Sequence, residues 1–302
     1  MQPLVSVIMP TYNYSKYLRQ SITSILLQSY DNFEFIIIND GSTDDTRDII
    51  LSFANKDDRI VYLENETNRG IPYSLNKALD HCKGDFIARM DSDDIAFLDA
   101  LEVKLRYMIQ HPEVDMLGTN VVFFAETPDK VLSRSHVPLD YDDLKTSLLF
   151  TSLIYHPTIL VRRQVFDKHR YDENFPLIED YKLFIDCCDD IMMVNMQRPT
   201  LYFRKHEHPY TDRKVQRQQG RQVRHIMNQR IGADISEEDM YYFYEKTSIG
   251  LETKTDDKTK YIAKTLIETN DKTRYVNPLC LRKWMITRRI LTFKEITEID
   301  NA

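Results

Sequence analysis

Phe86-Ile87-Ala88-Arg89-Met90-Asp91-Ser92-Asp93-Asp94 sets a short run carrying Phe86, Ile87 and Met90 directly against three acids in four positions. Carboxylates this close repel one another, and a chain tolerates them where a cation or solvent relieves the repulsion. Hard divalent cations such as Mn²⁺ or Mg²⁺ take carboxylate oxygens, and Mg²⁺ is commonly shared between carboxylates and substrate phosphates. The run reads as a strand whose C-terminal end delivers acids to a ligand, which is the edge where open α/β sheets bind. The competing reading is an acidic turn in which an Asp caps a helix starting near Phe97.

Upstream, three more strands end in polar loops. Leu4 to Met9 is an apolar strand that breaks at Pro10 and opens into Pro10-Thr11-Tyr12-Asn13. Phe33 to Ile38 ends at Asn39-Asp40-Gly41-Ser42, and Ile60 to Leu63 leads to Asn68-Arg69-Gly70. Helical spacing lies between them: Tyr17, Leu18, Ile22, Ile25 and Leu26 behind a Ser15 cap, then a helix capped by Ser42 or Thr43, then Pro72 to about Cys82. Strands alternating with helices predict an α/β fold: a mixed, mainly parallel sheet flanked by helices. In such a sheet Asn13, Asp40, Asn68 to Gly70 and Asp91 to Asp94 converge on one edge.

Downstream, a helix through Leu101, Leu105 and Met108 precedes strand character from Val114 to Phe124. A helix is expected over Tyr141 to Phe150, a strand after His156-Pro157, and a helix behind Glu179-Asp180. Met192 to Met196 and Leu201 to Phe203 read as two strands. From about Tyr210 the character becomes helical: Arg213 to Ile231, Tyr241 to Lys246 behind Ser236 and Asp239, and a last helix from Pro278 through Leu291. The expected division is an α/β catalytic domain over 1–208 and an all-helical C-terminal extension over 209–302, packed on it.

Composition narrows the class. A net charge of −7 argues against nucleic acid as a partner. Cys82, Cys187, Cys188 and Cys280 show no metal-finger spacing and read as reduced thiols, with Cys187 and Cys188 in the core. No signal peptide and no membrane-length apolar run is apparent, so a cytoplasmic protein is expected. The chain lacks G-x-G-x-x-G and G-x-x-x-x-G-K-[ST], which weighs against dehydrogenases and P-loop NTPases.

Val5-Ser6-Val7-Ile8-Met9-Pro10-Thr11-Tyr12-Asn13 resembles the start of a family 2 glycosyltransferase of the GT-A fold. Ile38-Asn39-Asp40-Gly41-Ser42-Thr43-Asp44 is similar to that family's D/N-D-G-S-x-D motif. Asn68-Arg69-Gly70 with Ala78 is similar to its N-x-G element, and Asp91-Ser92-Asp93 to its D-x-D. His156-Pro157-Thr158 resembles its H-P-S/T element, Glu179-Asp180-Tyr181-Lys182-Leu183-Phe184 its E-D-x-x-L-W segment with Phe for Trp, and Arg204-Lys205-His206 its late R-x-H. The matches run in the family's order from Leu4 to His208, and the helical tail carries none.

The resemblance implies transfer of a sugar from a nucleoside diphosphate donor, most commonly a UDP-sugar, to an acceptor hydroxyl with inversion and with Mn²⁺ or Mg²⁺ as cofactor. It assigns Asp93 to the metal, and Asp91 to the ribose or a shared cation, with Ser92 between them at the donor. Asp94 is left as either an indirect support of the site or a helix cap. Asp40 accepts the N3–H of uracil or, structurally, caps the following helix; Pro10, Tyr12 and Asn13 line the base pocket, with Tyr12 either a stacking face or simple loop packing. Arg69 contacts the diphosphate or base, or is a surface arginine. Asp180 or its neighbour Glu179 is the general base, set against a purely helix-dipole role. His206 approaches the metal or the diphosphate, and His208, two residues on, is the lesser candidate. His156 lines the acceptor side or simply enters a strand.

A saccharide or lipid-linked saccharide is the implied acceptor, in the synthesis of a bacterial cell-surface polysaccharide or glycoconjugate. Two other classes compete: a sugar-nucleotide nucleotidyltransferase, whose Gly-rich N-terminal signature is absent, and a silent GT-A-like binding module, which the intact acids oppose. Leu281 to Ile290 mixes Arg282, Lys283, Arg288 and Arg289 with Trp284, Met285 and Ile286. It reads as a basic amphipathic helix for peripheral contact at the inner membrane face, or as a helix docked on the catalytic domain or in a homo-oligomer.

Overall fold

A computed structural model describes residues 2–206, 212–247 and 255–300. It divides into two compact units, residues 1–139 with 154–210 and residues 140–153 with 211–302. The first is the α/β unit. Its elements are β1 (Val5–Thr11), α1 (Ser15–Leu26), β2 (Phe33–Asn39), α2 (Thr46–Ala54), β3 (Ile60–Glu64) and α3 (Ile71–His81). β4 (Phe86–Arg89), β5 (Ile95–Ala96), α4 (Ala100–Gln110), β6 (Met116–Phe124) and β7 (Val131–Arg134) follow. After α5 (Tyr141–Ser147), which belongs to the other unit, come β8 (Leu160–Arg162), α6 (Arg163–Lys168), α7 (Glu179–Cys187) and β9 (Met193–Arg204).

The sheet order is β3-β2-β1-β4-β8-β6-β9-β5, with β7 on β6. β1 to β4 pair in parallel, β6 pairs in parallel with β9, and β8 sits antiparallel between β4 and β6. β1 is buried at every position and Ile36, Ile37 and Ile38 are wholly buried, as continuous apolar strands must be when both faces are covered.

β1 does not break at Pro10. It runs on to Thr11, with Pro10 opposite Ile38. Ile8 and Pro10 turn their backbone groups toward β4, and β4 pairing ends at Ile8 opposite Arg89. Pro10 therefore removes an N–H where no ladder partner waits. Met192 to Met196 and Leu201 to Phe203 fuse into one strand, β9, whose register against β6 shifts around Asn120.

Helix starts differ from expectation because one side chain from another loop does the capping. Neither Ser15 nor Ser42 or Thr43 caps a helix; α1 begins at Ser15 and α2 only at Thr46. Asp44 accepts the Ser15 N–H at 3.1 Å through one oxygen and the Thr46 N–H at 3.0 Å through the other. Burial works against its charge, but these hydrogen bonds hold the carboxyl below its ordinary range. Asn13, with φ of +56°, joins the same knot: its backbone N–H donates to Ser42 Oγ and its side-chain Oδ1 accepts from Thr43 N–H.

The second unit is helical. It comprises α5 with α8 (Arg213–Ile231), α9 (Glu237–Thr247), α10 (Asp257–Thr273), α11 (Pro278–Thr287) and α12 (Phe293–Asp300). The 140–153 stretch belongs here rather than with the α/β unit: Phe150 stacks on Trp284 at 5.0 Å, and Asn277 and Lys283 bind Asp142 and Asp143. α10 is not marked in the sequence reading, although Asp256 caps it and Ile262, Ala263, Leu266 and Ile267 bury one face. The helix expected through Leu291 ends at Thr287, and Arg289 turns left-handed before α12. Among the described residues no helix is long and apolar enough to cross a membrane. The basic face of α11 is largely used within the unit: Arg282 pairs with Asp271 and Asp300, and Arg288 lies over Trp284.

Gly41, in the loop after β2, is closely enclosed by backbone. Its φ is +69°, and a Cβ there would lie 2.6 Å from the Thr67 carbonyl carbon. Gly41→Ala is expected to cost more than about 1 kcal/mol, because alanine is strained at positive φ and the opposing atoms are backbone. Thermal unfolding should show a midpoint lower by at least about 3 °C; an unchanged midpoint would contradict the geometry.

Candidate active site

The acid loop is held at both ends. Met90 N–H donates to Ile8 O at 3.0 Å, and β5 pairs antiparallel with Leu201 and Tyr202 of β9 directly after Asp94. Oxygens of Asp91, Asp93 and Asp94 lie within 4.8 Å of one another. Asp94 is no helix cap: α4 starts at Ala100, behind Asp99. It is 1% exposed, and its Oδ1 accepts the Arg204 backbone N–H at 2.8 Å. Its Oδ2 is buried with no hydrogen-bond partner. Burial, then the charges of Asp91 and Asp93, push the Asp94 carboxyl well above the ordinary range.

Two arginines answer these charges. Arg89, at the end of β4, is buried and ion-paired with half-buried Asp91. Burial opposes its charge, but Asp91 outweighs that and the net effect is to raise the guanidinium. Arg204 ends β9. Its guanidinium donates to the Asp93 carbonyl at 2.8 Å, to Glu126 O at 2.7 Å and to Gln20 Oε1 at 3.0 Å, while lying over the rings of Tyr17 and Phe124. Two residues on, His206 Nε2 sits 2.6 Å from Asp93 Oδ2, with the Tyr17 ring 5.4 Å from its own. His208 lies outside the described residues.

Three hard carboxylates, an unpartnered buried carboxylate oxygen and an imidazole at Asp93 make a donor set that fits a divalent cation. A separate groove of about 840 Å³ runs along Thr23, Leu27, Phe97 and Leu98. Its one acid, Asp99, is paired with Arg198, so it lacks the chemistry of the acid loop.

The second acid pair opens α7. Glu179 is buried, while half-buried Asp180 accepts the N–H of Tyr181 at 2.7 Å. Burial, then the Asp180 charge, push Glu179 up to about 8. Burial raises Asp180 as well; Tyr181 N–H and Arg89 oppose this, and the charge of Asp91 adds to it. The two acid groups therefore share one electrostatic field, with Arg89 acting on both. His156 does not line an open face. It is buried, with Nε2 2.8 Å from the Tyr171 hydroxyl.

Directly after β2, Asp40 is 4% exposed and does not cap a helix. One oxygen takes Asn65 Nδ2 at 2.7 Å and the Arg69 N–H at 2.9 Å; the other takes the Gly70 N–H at 2.9 Å. Asp40 thus builds the start of α3 as well as facing the loop edge. Pro10 and Ser92 are buried, Tyr12 is 40% exposed, and exposed Arg69 lies over the Tyr73 ring at 4.3 Å. Arg89, Arg204 and Tyr171 are the residues to which sequence reasoning gives no role. A cation two positions before the acids, inside an apolar strand, was the available sign for Arg89.

The glycosyl transferase family 2 profile matches residues 6–170, more than half of the chain and every element up to α6. The chain belongs to glycosyl transferase family 2. This glycosyltransferase is 35% identical over 188 residues to the uncharacterized glycosyltransferase MJ1057 of Methanocaldococcus jannaschii, covering 62% of this chain and 65% of that protein. It is 32% identical over 208 residues to the O-antigen biosynthesis glycosyltransferase WbnJ of Escherichia coli, covering 67% of this chain and 80% of the other. The crystal structure of S. aureus TarS 1–349 in complex with UDP-GlcNAc superposes with a TM-score of 0.60 at 18% identity, covering 94% of this chain and 88% of that one. That likeness shows the shared GT-A fold.

Glu179 gives this glycosyltransferase a testable pH signature. Its folded value of about 8 lies above an unfolded value of about 4.3, so the folded state holds the extra proton between them. Stability from this residue is fully present below the unfolded value and is lost as pH rises toward 8. Urea unfolding at pH 5 and pH 8 should show Glu179→Gln becoming more stable relative to wild type at the higher pH; a pH-independent difference would contradict it. Arg204→Lys loses the fork that spans Asp93, Glu126 and Gln20. If the acid loop holds Mn²⁺, this substitution should lower its affinity, read by calorimetry, by about 10-fold or more, the range for outer partners of metal ligands.

Proposed function

We propose that this glycosyltransferase transfers a sugar from a UDP-sugar to a saccharide hydroxyl, with inversion at the anomeric carbon, in the assembly of a cell-surface polysaccharide. The observation that carries the reading is the pairing of two acid groups in one field: Asp91, Asp93 and Asp94 at the end of β4, and Asp180 at the start of α7, raised in part by Asp91. A lone cation cluster would need only the first. The relative named for O-antigen biosynthesis supports the polysaccharide setting.

In this reading the uracil lies against Pro10, Tyr12 and Asn13, and Asp40 Oδ2, which carries one hydrogen bond from Gly70, accepts the base N3–H. Arg69 and Ser92 border the diphosphate. Asp93, Asp91 and His206 hold Mn²⁺ or Mg²⁺, which when bound supplies Lewis-acid stabilisation of the departing diphosphate. Asp180 takes the proton of the acceptor hydroxyl. The freed oxygen forms the new bond to the anomeric carbon as the bond to the UDP oxygen breaks, and UDP leaves with the electron pair. Asp180 is suited to this because burial places its carboxyl nearer the working pH than an ordinary aspartate.

Asp180→Asn is expected to bind UDP with Mn²⁺ as wild type does, and to lose about 10²- to 10⁴-fold in kcat for UDP-sugar turnover. Asp93→Ala is expected to lose Mn²⁺-dependent UDP binding. Wild-type turnover by Asp180→Asn would remove the base assignment. The base must be ionised, so kcat should fall as pH drops, with a midpoint above the ordinary aspartate value of about 3.9. A flat profile down to pH 4.5 would contradict this.

A further inference from the structure

Behind the α7 acids lies a chain of buried polar groups that the transfer reaction does not use. Tyr171 is 2% exposed, and its backbone is clamped to α3: Asn76 Oδ1 accepts the Tyr171 N–H at 3.0 Å, and Asn76 Nδ2 donates to Tyr171 O at 2.8 Å. The phenol meets His156 Nε2 at 2.8 Å. On the other side of the imidazole, Nδ1 is 4.0 Å from Glu179 Oε1. Phe184, one helical turn into α7, sets its edge against the same ring at 6.1 Å and 87°. α7 itself starts behind Ile178, which offers no capping side chain. Buried polar groups in a row are costly unless each is satisfied, so their placement calls for a reason.

We propose that Tyr171 and His156 are positioning residues for the acid pair of α7, holding Glu179 and Phe184 so that Asp180 is presented to the acceptor hydroxyl. The inference rests on the assignment of Asp180 as the base. Burial, with the Arg89 charge adding to it, keeps the imidazole neutral, so it has one donor and one acceptor nitrogen. Burial also keeps the phenol protonated. Tyr171 donates to Nε2, and the remaining ring N–H, at Nδ1, faces Glu179. Through Asn76 the chain continues to α3, and Asp40 holds Arg69 and Gly70 directly before that helix. The loop on the donor side and the helix carrying the base are thus braced against the same element.

The test uses the full chain, UDP-N-acetylglucosamine and UDP-glucose hydrolysis as the turnover assay, and calorimetric binding of UDP with Mn²⁺. Tyr171→Phe removes one hydroxyl and keeps the ring. It is expected to lower kcat about 10-fold, with UDP affinity and donor KM within 2-fold of wild type. His156→Gln places an amide near Nε2 and should retain more kcat than His156→Ala at equal folded fraction. Support is a loss confined to kcat and partly rescued by Gln. The inference is overturned if Tyr171→Phe and His156→Ala, folded by circular dichroism, keep wild-type kcat, or if the loss lies in KM. Asp180→Asn separates the two readings. If it retains turnover, the base assignment falls and this inference with it; if it is inactive while Tyr171→Phe is not, only the inference falls.

Discussion

The ion pair between Arg89 and Asp91 is the constraint on which the α/β unit turns. Five carboxyl groups, Asp91, Asp93, Asp94, Glu179 and Asp180, are drawn into one edge of the sheet. Removing charges from water is costly, and a buried carboxylate without a partner gains a proton instead. Arg89 opposes that tendency at both acid groups, lowering Asp91, Glu179 and Asp180 against the effect of burial. The balance is uneven. Burial still carries all four of Asp91, Asp94, Glu179 and Asp180 upward, but Asp91 has its cation directly beside it, whereas Asp94 is pushed well above the ordinary range and Glu179 to about 8. Paired titrating groups with different environments are how neighbouring carboxyls take different tasks.

Arg204 does the mechanical part. Its fork spans the acid loop, the stretch after β6 and helix α1, and its backbone N–H satisfies Asp94. A lysine has one charged point and no such reach. The acid loop owes its shape to this clamp and to β5 pairing with β9, not to the local sequence of Asp91 to Asp94. Asp40 does the same at the end of β2, where one carboxylate collects two backbone N–H groups and an amide and so sets where α3 starts.

Strand and helix periodicity made the α/β alternation legible because β1, β2 and β4 are almost wholly buried and therefore mainly apolar, Ser6, Glu34 and Arg89 being among the exceptions. The convergence of Asn13, Asp40, Gly70 and Asp91 to Asp94 on one edge followed from that alternation. Helix starts were less legible. Asp44 caps α1 from 29 residues away, and no local pattern encodes a cap supplied by another loop. α10 passed unmarked although its cap and apolar face are both present.

What the sequence by itself determined is the order of strands and helices, the family, and the candidate acids at the strand ends, since each is set by short-range pattern. Only the tertiary structure decided which charges face one another. Arg89 sits two residues from Asp91, yet its influence on α7 depends on a fold that brings residues about 90 positions apart into one low-dielectric edge, where charges interact strongly. The roles of Arg204 and Tyr171, and the place of 140–153 among the helices, are of the same kind. They depend on contacts between segments distant in the chain, and only folding creates those contacts.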